Sequence, residues 1–214
     1  MRKKVMLGLL FVILIILGGA LPHLLKYQGP AAQNNHSSIQ VEVVSAGGVL
    51  FDQMVDPSGC KNALELVTKA VGKDKVVQSK GFVSSLMGVK GIVYYTVKNG
   101  AYEAPTVSAA DYPVAGLQKI VFYNYNLKPL KAKAEVVNDA IKVTVAQAKF
   151  DANFAIAGWE PLAGATVKYA NQTAVTDQKG SALLSGKVKN EKIKVFTKDA
   201  AGKYTTVPEE IIIK

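Results

Sequence analysis

Two short apolar strands punctuated by glycines, in residues 81–100, constrain the fold of this chain most strongly. The second strand, residues 92–97, carries Tyr94 and Tyr95 and leads into Asn99-Gly100. An Asn-Gly pair between β-rich segments is a strong signal for a tight hairpin, because both residues tolerate a positive φ. The stretch therefore predicts antiparallel strands at this point of the chain.

Upstream of these strands, the pattern predicts a β-hairpin followed by a single helix. Residues 39–44 alternate apolar and polar side chains, and a Gly-Gly turn separates them from a second apolar run. Asn62 can cap a short helix, with Glu65 three positions later as in a capping box, and Gly72 can end it. One helix on one face of a mixed sheet is an α+β arrangement, so we predict a β-grasp-like domain over residues 39–127.

After Pro129 the helical periodicity disappears, and short strands alternate with turn signals. Such signals occur at Asn138-Asp139, at residues 177–180 and at Ala201-Gly202. About seven short strands without a helix are typical of a sandwich of two sheets. We therefore predict an all-β, immunoglobulin-like β-sandwich domain over residues 128–214.

The N-terminus has the pattern of an export signal. Three basic residues, Arg2, Lys3 and Lys4, precede an uncharged run of 17 residues, 5–21. This length fits either a cleaved signal peptide or a retained membrane anchor, so residues 1–25 are predicted to form a signal or anchor helix. Residues 26–38 then form a polar linker. The folded part is expected outside the cell, secreted or membrane-anchored in a bacterial envelope.

The charge of the chain argues against nucleic-acid binding. Its formal net charge is +10, but Arg2 is the only arginine. Base recognition usually needs the planar fork of arginine, so the lysines are better explained as a solvated surface facing an anionic envelope.

Histidine does not occur in the predicted domains, and cysteine occurs there once. Cys60 is the only cysteine, and both histidines, His23 and His36, precede residue 39. No Cys/His spacing suggests a metal site. Ser84 and Ser85 have no histidine nearby in sequence to activate them. We therefore predict no catalytic residues, no metal and no enzymatic activity.

Three segments in order, GFVSSLMG, YYTVKNG and DYPVAGLQKIVFY, resemble the transcobalamin C-terminal-like family, also called the domain of unknown function 4430. The matching positions are Gly81, Val83, Ser85, Gly88, Tyr94, Tyr95, Asn99, Gly100, Tyr112, Gly116 and Ile120. The resemblance implies a β-grasp fold and names cobalamin, a corrinoid, as a candidate cofactor.

The second half is similar to bacterial surface modules of the Ig-like or Cna-B type. The resemblance rests on PLAGATVKY followed by TDQKGSALL. Some relatives form Lys–Asn isopeptide crosslinks, but that pattern has no residue-by-residue match here.

The tyrosine pair is the predicted ligand platform. Tyr94 and Tyr95 point to opposite faces if they lie on a strand, so one is expected in the core and the other exposed. The candidate binding residues are Ser85, Tyr94, Tyr95 and Asn99.

The predicted function is that of an exported bacterial cell-surface binding protein. Its β-grasp domain would recognise a small ligand or an envelope protein without catalysis, and the sandwich would serve as a spacer or adhesion module. A cobalamin-binding protein and an envelope hydrolase are the alternatives.

Overall fold

The computed structural model describes residues 37–186 and 191–213. These residues belong to one compact unit. The predicted signal or anchor segment and almost all of the predicted linker lie outside the described residues. Within the described ranges, no helix is both long and apolar enough to cross a membrane.

The described residues form a largely β fold with one α-helix, as the strand-rich pattern predicted. The helix is α1 (Ala63–Val71), and a 3₁₀ turn follows it at Lys73–Lys75. The strands are β1 (Ile39–Ser45), β2 (Gly48–Val55), β3 (Val76–Ser79), β4 (Phe82–Leu86), β5 (Val89–Lys90), β6 (Ile92–Lys98), β7 (Ala101–Glu103), β8 (Leu117–Asn124), β9 (Leu130–Val137), β10 (Ala140–Phe150), β11 (Ile156–Pro161), β12 (Thr166–Tyr169), β13 (Gln172–Val175), β14 (Ser181–Ser185), β15 (Lys192–Phe196) and β16 (Glu209–Ile212).

The first half is a mixed five-stranded sheet in the order β2-β1-β8-β6-β7. Strands β1 and β8 are parallel, and the other neighbours are antiparallel. Helix α1 packs on one face, where Leu66 and Val67 join Ile120 and Phe122 in a buried core. A small antiparallel sheet, β3-β4-β5, lies between α1 and β6 in the chain.

The predicted helix boundaries are confirmed. Asn62 Oδ1 accepts a hydrogen bond from the Glu65 backbone N–H at 2.9 Å. The Glu65 carboxylate accepts from the Lys61 N–H at 2.6 Å. Gly72 follows α1 with φ of +95°. The Asn62 side chain thus satisfies one of the N–H groups that the first helical turn leaves unpaired.

The predicted hairpin turns are also confirmed. Asn99 and Gly100 have φ of +50° and +74° between β6 and β7, and Asn138 and Asp139 have +47° and +65° between β9 and β10. Two consecutive positive φ angles match the right-handed twist of the flanking strands.

The second half contains two four-stranded sheets. In one, β10 pairs with β9, β11 and β14; the other has the order β13-β12-β15-β16. Buried side chains from both sheets, including Ile141, Val143, Val167 and Val195, form one core.

The second face of the first sheet is covered by the second half of the chain. Val44, Tyr95 and Val121 share a buried cluster with Leu127 and Val207. The two halves are therefore packed together through a common apolar core.

A buried ion cluster crosses the same contact. Lys119 Nζ lies 2.9 Å from Glu42 Oε1 and 3.3 Å from Glu209 Oε2, and all three side chains are at most 10% exposed. The Tyr102 hydroxyl donates to Glu209 Oε1 at 3.1 Å. A lysine of β8 thus joins carboxylates from the first and last strands.

Candidate functional site

An apolar cleft of about 750 Å³ opens beside Tyr94, between the first sheet, the small sheet and the loop after β10. We call it the Tyr94 cleft. Its lining includes the exposed side chains of Phe82, Val107, Tyr125 and Phe154. Exposed large apolar groups gathered around one concavity are typical of binding sites rather than of ordinary surface.

Tyr94 forms a fixed part of the wall. Its ring stacks on Phe122 at 5.5 Å and meets the edge of Tyr112 at 5.9 Å between centroids. Its hydroxyl donates to the Val107 carbonyl at 2.9 Å. Burial raises the pKa of the Tyr94 hydroxyl well above its usual value, so it stays a neutral donor. The side chain therefore holds the Val107 loop in place.

The other three predicted binding residues lie away from the cleft lining. Tyr95 points to the opposite face of β6, where it is fully buried against Tyr102 and Tyr123. Ser85 is partly buried on β4, and Asn99 is exposed in the β6–β7 turn. Of the four candidates, the structure brings only Tyr94 to the cleft.

Gly91 leaves room for the Tyr125 ring to pack directly against the backbone beside the cleft. It has φ of +65°, and a Cβ there would lie 2.7 Å from the Tyr125 ring. The Tyr125 N–H donates to the Gly91 carbonyl at 3.0 Å. A glycine is required at this position because of both the backbone angle and the close approach. It leaves the Tyr125 side chain exposed along the cleft.

Phe154 occupies a backbone conformation that bulky residues rarely adopt. It has φ of +62°, and its side chain is 80% exposed at the cleft. The Asp151 carboxylate fixes the loop by accepting the N–H groups of Asn153 and Ala155 at 2.8 and 2.9 Å. Such a conformation costs about 1–3 kcal/mol for a residue other than glycine.

The cleft is almost uncharged although the chain is strongly basic. Of its lining residues, Lys128 and Asp151 alone carry charge, and their charges are opposite. Among the described residues, no group of three His, Cys, Asp or Glu side chains is placed to hold a metal ion. The lining can bury apolar surface and accept or donate a few hydrogen bonds.

The sequence did not single out Phe82, Tyr125 or Phe154. They are far apart in the chain and come together only through the fold. One sequence signal could have indicated Phe154: the spacing D-x-x-G occurs at Asp177 and Asp199, and Asp151 has phenylalanine in the glycine position.

Comparison with known proteins gives no relative to transfer a function from, because no protein-family model, curated protein or solved structure matches the chain.

Proposed function

We propose that this chain is a non-catalytic, exported binding protein and that the Tyr94 cleft holds its ligand. The observation that carries the proposal is the gathering of exposed apolar side chains around a concavity of about 750 Å³. That volume is within the range of small-molecule sites, which are mostly apolar with a few placed polar groups. The ligand is a small apolar molecule.

The packing of the two halves supports a permanent cleft. Its walls come from Phe82 and Tyr94 in the first half and from Phe150 and Phe154 in the second. The shared core and the buried Lys119 cluster join these halves. A preformed site loses less free energy in ordering itself when the ligand binds.

Domain assignments belong to the same proposal. A mixed five-stranded sheet with one helix on one face supports a β-grasp-like domain in residues 39–127. Two four-stranded sheets around a common core support an Ig-like sandwich in residues 128–214. The sandwich then supplies one wall of the cleft as well as acting as a spacer.

Export and placement at a bacterial envelope are proposed from residues 1–25, whose basic start and uncharged run favour translocation.

The test is a titration of the purified protein with the neutral dye N-phenyl-1-naphthylamine, followed by its fluorescence. We expect saturable binding at one site. Val107→Asp should lower the affinity for the dye by about tenfold or more, because a carboxylate in the cleft must lose bound water when the dye enters. Val175→Asp is the matched control: Val107 is 45% exposed and Val175, on β13, is 62% exposed.

The proposal is wrong if dye binding does not saturate. It is also wrong if Val107→Asp and Val175→Asp lower the affinity for the dye equally, because the cleft would then not be the binding site. Incubation with cobalamin followed by desalting and absorbance tests the corrinoid alternative separately.

A further inference from the structure

Three loops of the second half share one hydrogen-bonding pattern. In each, the backbone N–H of an aspartate donates to the carbonyl four residues later, and its own carbonyl accepts from the residue three positions later. The aspartates are Asp151, Asp177 and Asp199. In each loop the carboxylate also accepts the backbone N–H four positions later, at 2.8 or 2.9 Å.

The fourth position of these loops always has a positive φ. It is Gly180 at +70° and Gly202 at +76° in two of them, and Phe154 at +62° in the third. Glycine adopts this angle without steric cost, whereas a side chain at Cβ makes it unfavourable. The chain therefore has a phenylalanine at the position where the two other loops have glycine, the residue that adopts this backbone angle most easily.

The strained loop is also the one that borders the Tyr94 cleft. Phe154 lines the cleft together with two other exposed aromatic rings, Phe82 and Tyr125. Strained backbone is concentrated at functional sites, where the surrounding structure enforces it. A phenylalanine that leaves most of its surface in water gains little from packing within its own chain.

The charges at the cleft indicate what Phe154 contacts. The two charged lining residues, Lys128 and Asp151, have opposite signs, and the Asp151 carboxylate already accepts two backbone N–H groups. A lining without net charge is complementary to an uncharged ligand. Three exposed aromatic rings offer faces and edges to a planar π-system.

We propose that Phe154 is a ligand-contacting residue of the Tyr94 cleft and that the ligand is an uncharged planar aromatic molecule. The inference rests on the proposed binding function. It adds the chemical class of the ligand and assigns the strained phenylalanine to it.

The first experiment compares stability and binding in Phe154→Gly. We expect the urea midpoint to stay equal or rise, because glycine removes the strain, while affinity for N-phenyl-1-naphthylamine falls by about fivefold or more. Gly202→Ala, in the equivalent loop with open space around its Cβ position, should lower the midpoint and leave dye affinity unchanged. A Phe154→Gly variant that keeps full affinity would overturn the proposal.

The second experiment separates aromatic from merely apolar recognition. The competitors are 2-naphthol and decahydro-2-naphthol, two neutral bicyclic alcohols with the same carbon skeleton. We expect 2-naphthol to displace the dye at a concentration about fivefold lower, and we expect Phe154→Gly to remove that preference. Equal displacement by both alcohols would refute the aromatic assignment while leaving the binding function intact. Failure of the dye to bind the parent protein would instead refute the binding function.

Discussion

Replacing Glu42 with glutamine should remove most of the pH dependence of folding stability between pH 5 and pH 8. Glu42 Oε1 lies 2.9 Å from Lys119 Nζ and accepts from Gln40 Nε2 at 2.8 Å. Its Oε2 atom is buried and has no hydrogen-bond partner among the described residues. Oε1 is therefore well paired, whereas Oε2 has lost its hydrogen bonds to water and has gained none from the described residues.

Burial outweighs the pairing and raises the pKa of Glu42 from 4.5 to about 7. Lys119 lowers this pKa, whereas the charges of Asp52 and Glu209 raise it. Because the folded state holds the proton more tightly than the unfolded state, stability falls as the pH rises from about 4.5 to 7. The rise of this pKa from 4.5 to about 7 corresponds in total to about 3–4 kcal/mol, since one pKa unit is worth about 1.4 kcal/mol.

The other charged groups near Glu42 leave this pH window interpretable. Both histidines of the chain, His23 and His36, precede the described residues. The pKa of Lys119 is raised by its two carboxylate partners despite the opposing effect of burial, so Lys119 stays charged throughout. Burial also raises the pKa of the neighbouring Tyr95 and Tyr102, which stay neutral.

The assay is urea unfolding at pH 5 and pH 8. The parent should lose about 2–3 kcal/mol of unfolding free energy between these values, and Glu42→Gln should lose less than about 1 kcal/mol. At pH 5 the two should be nearly equal, because the amide resembles the protonated acid. Glu210→Gln, in an exposed pair with Lys192, is the control and should keep the parent slope. The reasoning fails if Glu42→Gln keeps it too.

Further substitutions test the buried ion cluster, the packing of the second half and the cleft. Lys119→Met should lower the free energy of unfolding in urea by about 3–5 kcal/mol, because it leaves two buried carboxylates without their cation. Lys192→Met is its control, because it removes an exposed pair and should cost less than about 1 kcal/mol. In the same assay, Gly180→Ala should lower the free energy of unfolding by about 3 kcal/mol or more, because the added Cβ would collide with a backbone carbonyl of β10. Gly202→Ala should lower it by only about 1 kcal/mol, because only the positive φ is unfavourable there. Gly91→Ala should lower the affinity for N-phenyl-1-naphthylamine by about tenfold, because the added Cβ would displace the Tyr125 ring. Unchanged affinity would show that this ring does not contact the dye.

Sequence reasoning succeeded where a few neighbouring residues determine the geometry. Asn62 and Gly72 set the limits of α1, and Asn99-Gly100 and Asn138-Asp139 form their turns, because capping and positive φ are local properties. The alternation of side chains along a strand also predicted that Tyr94 and Tyr95 would point to opposite faces, one in the core and one exposed. Tyr95 is buried as predicted, but Tyr94 is half-buried rather than exposed.

The parts that were missed depend on contacts between distant segments. Lys119 and Glu209 lie 90 residues apart, and each had the ordinary sequence pattern of a strand charge. Nothing in a local window shows that the second face of the first sheet is covered, so the ion cluster could not be predicted. The Tyr94 cleft was missed for the same reason, because its aromatic rings come from separate loops and strands.

Glu42 and Phe154 both depart from what their local environment favours, and the difference between them bears on function. Glu42 loses hydration, but Lys119 offsets part of that cost within the fold. Phe154 adopts an unfavourable backbone angle, yet 80% of its side chain remains in solvent. Contacts within the described chain can account for the retention of the first but offer little to stabilise the second. The ligand that we propose for the Tyr94 cleft would supply the contact that the Phe154 side chain lacks within the described chain.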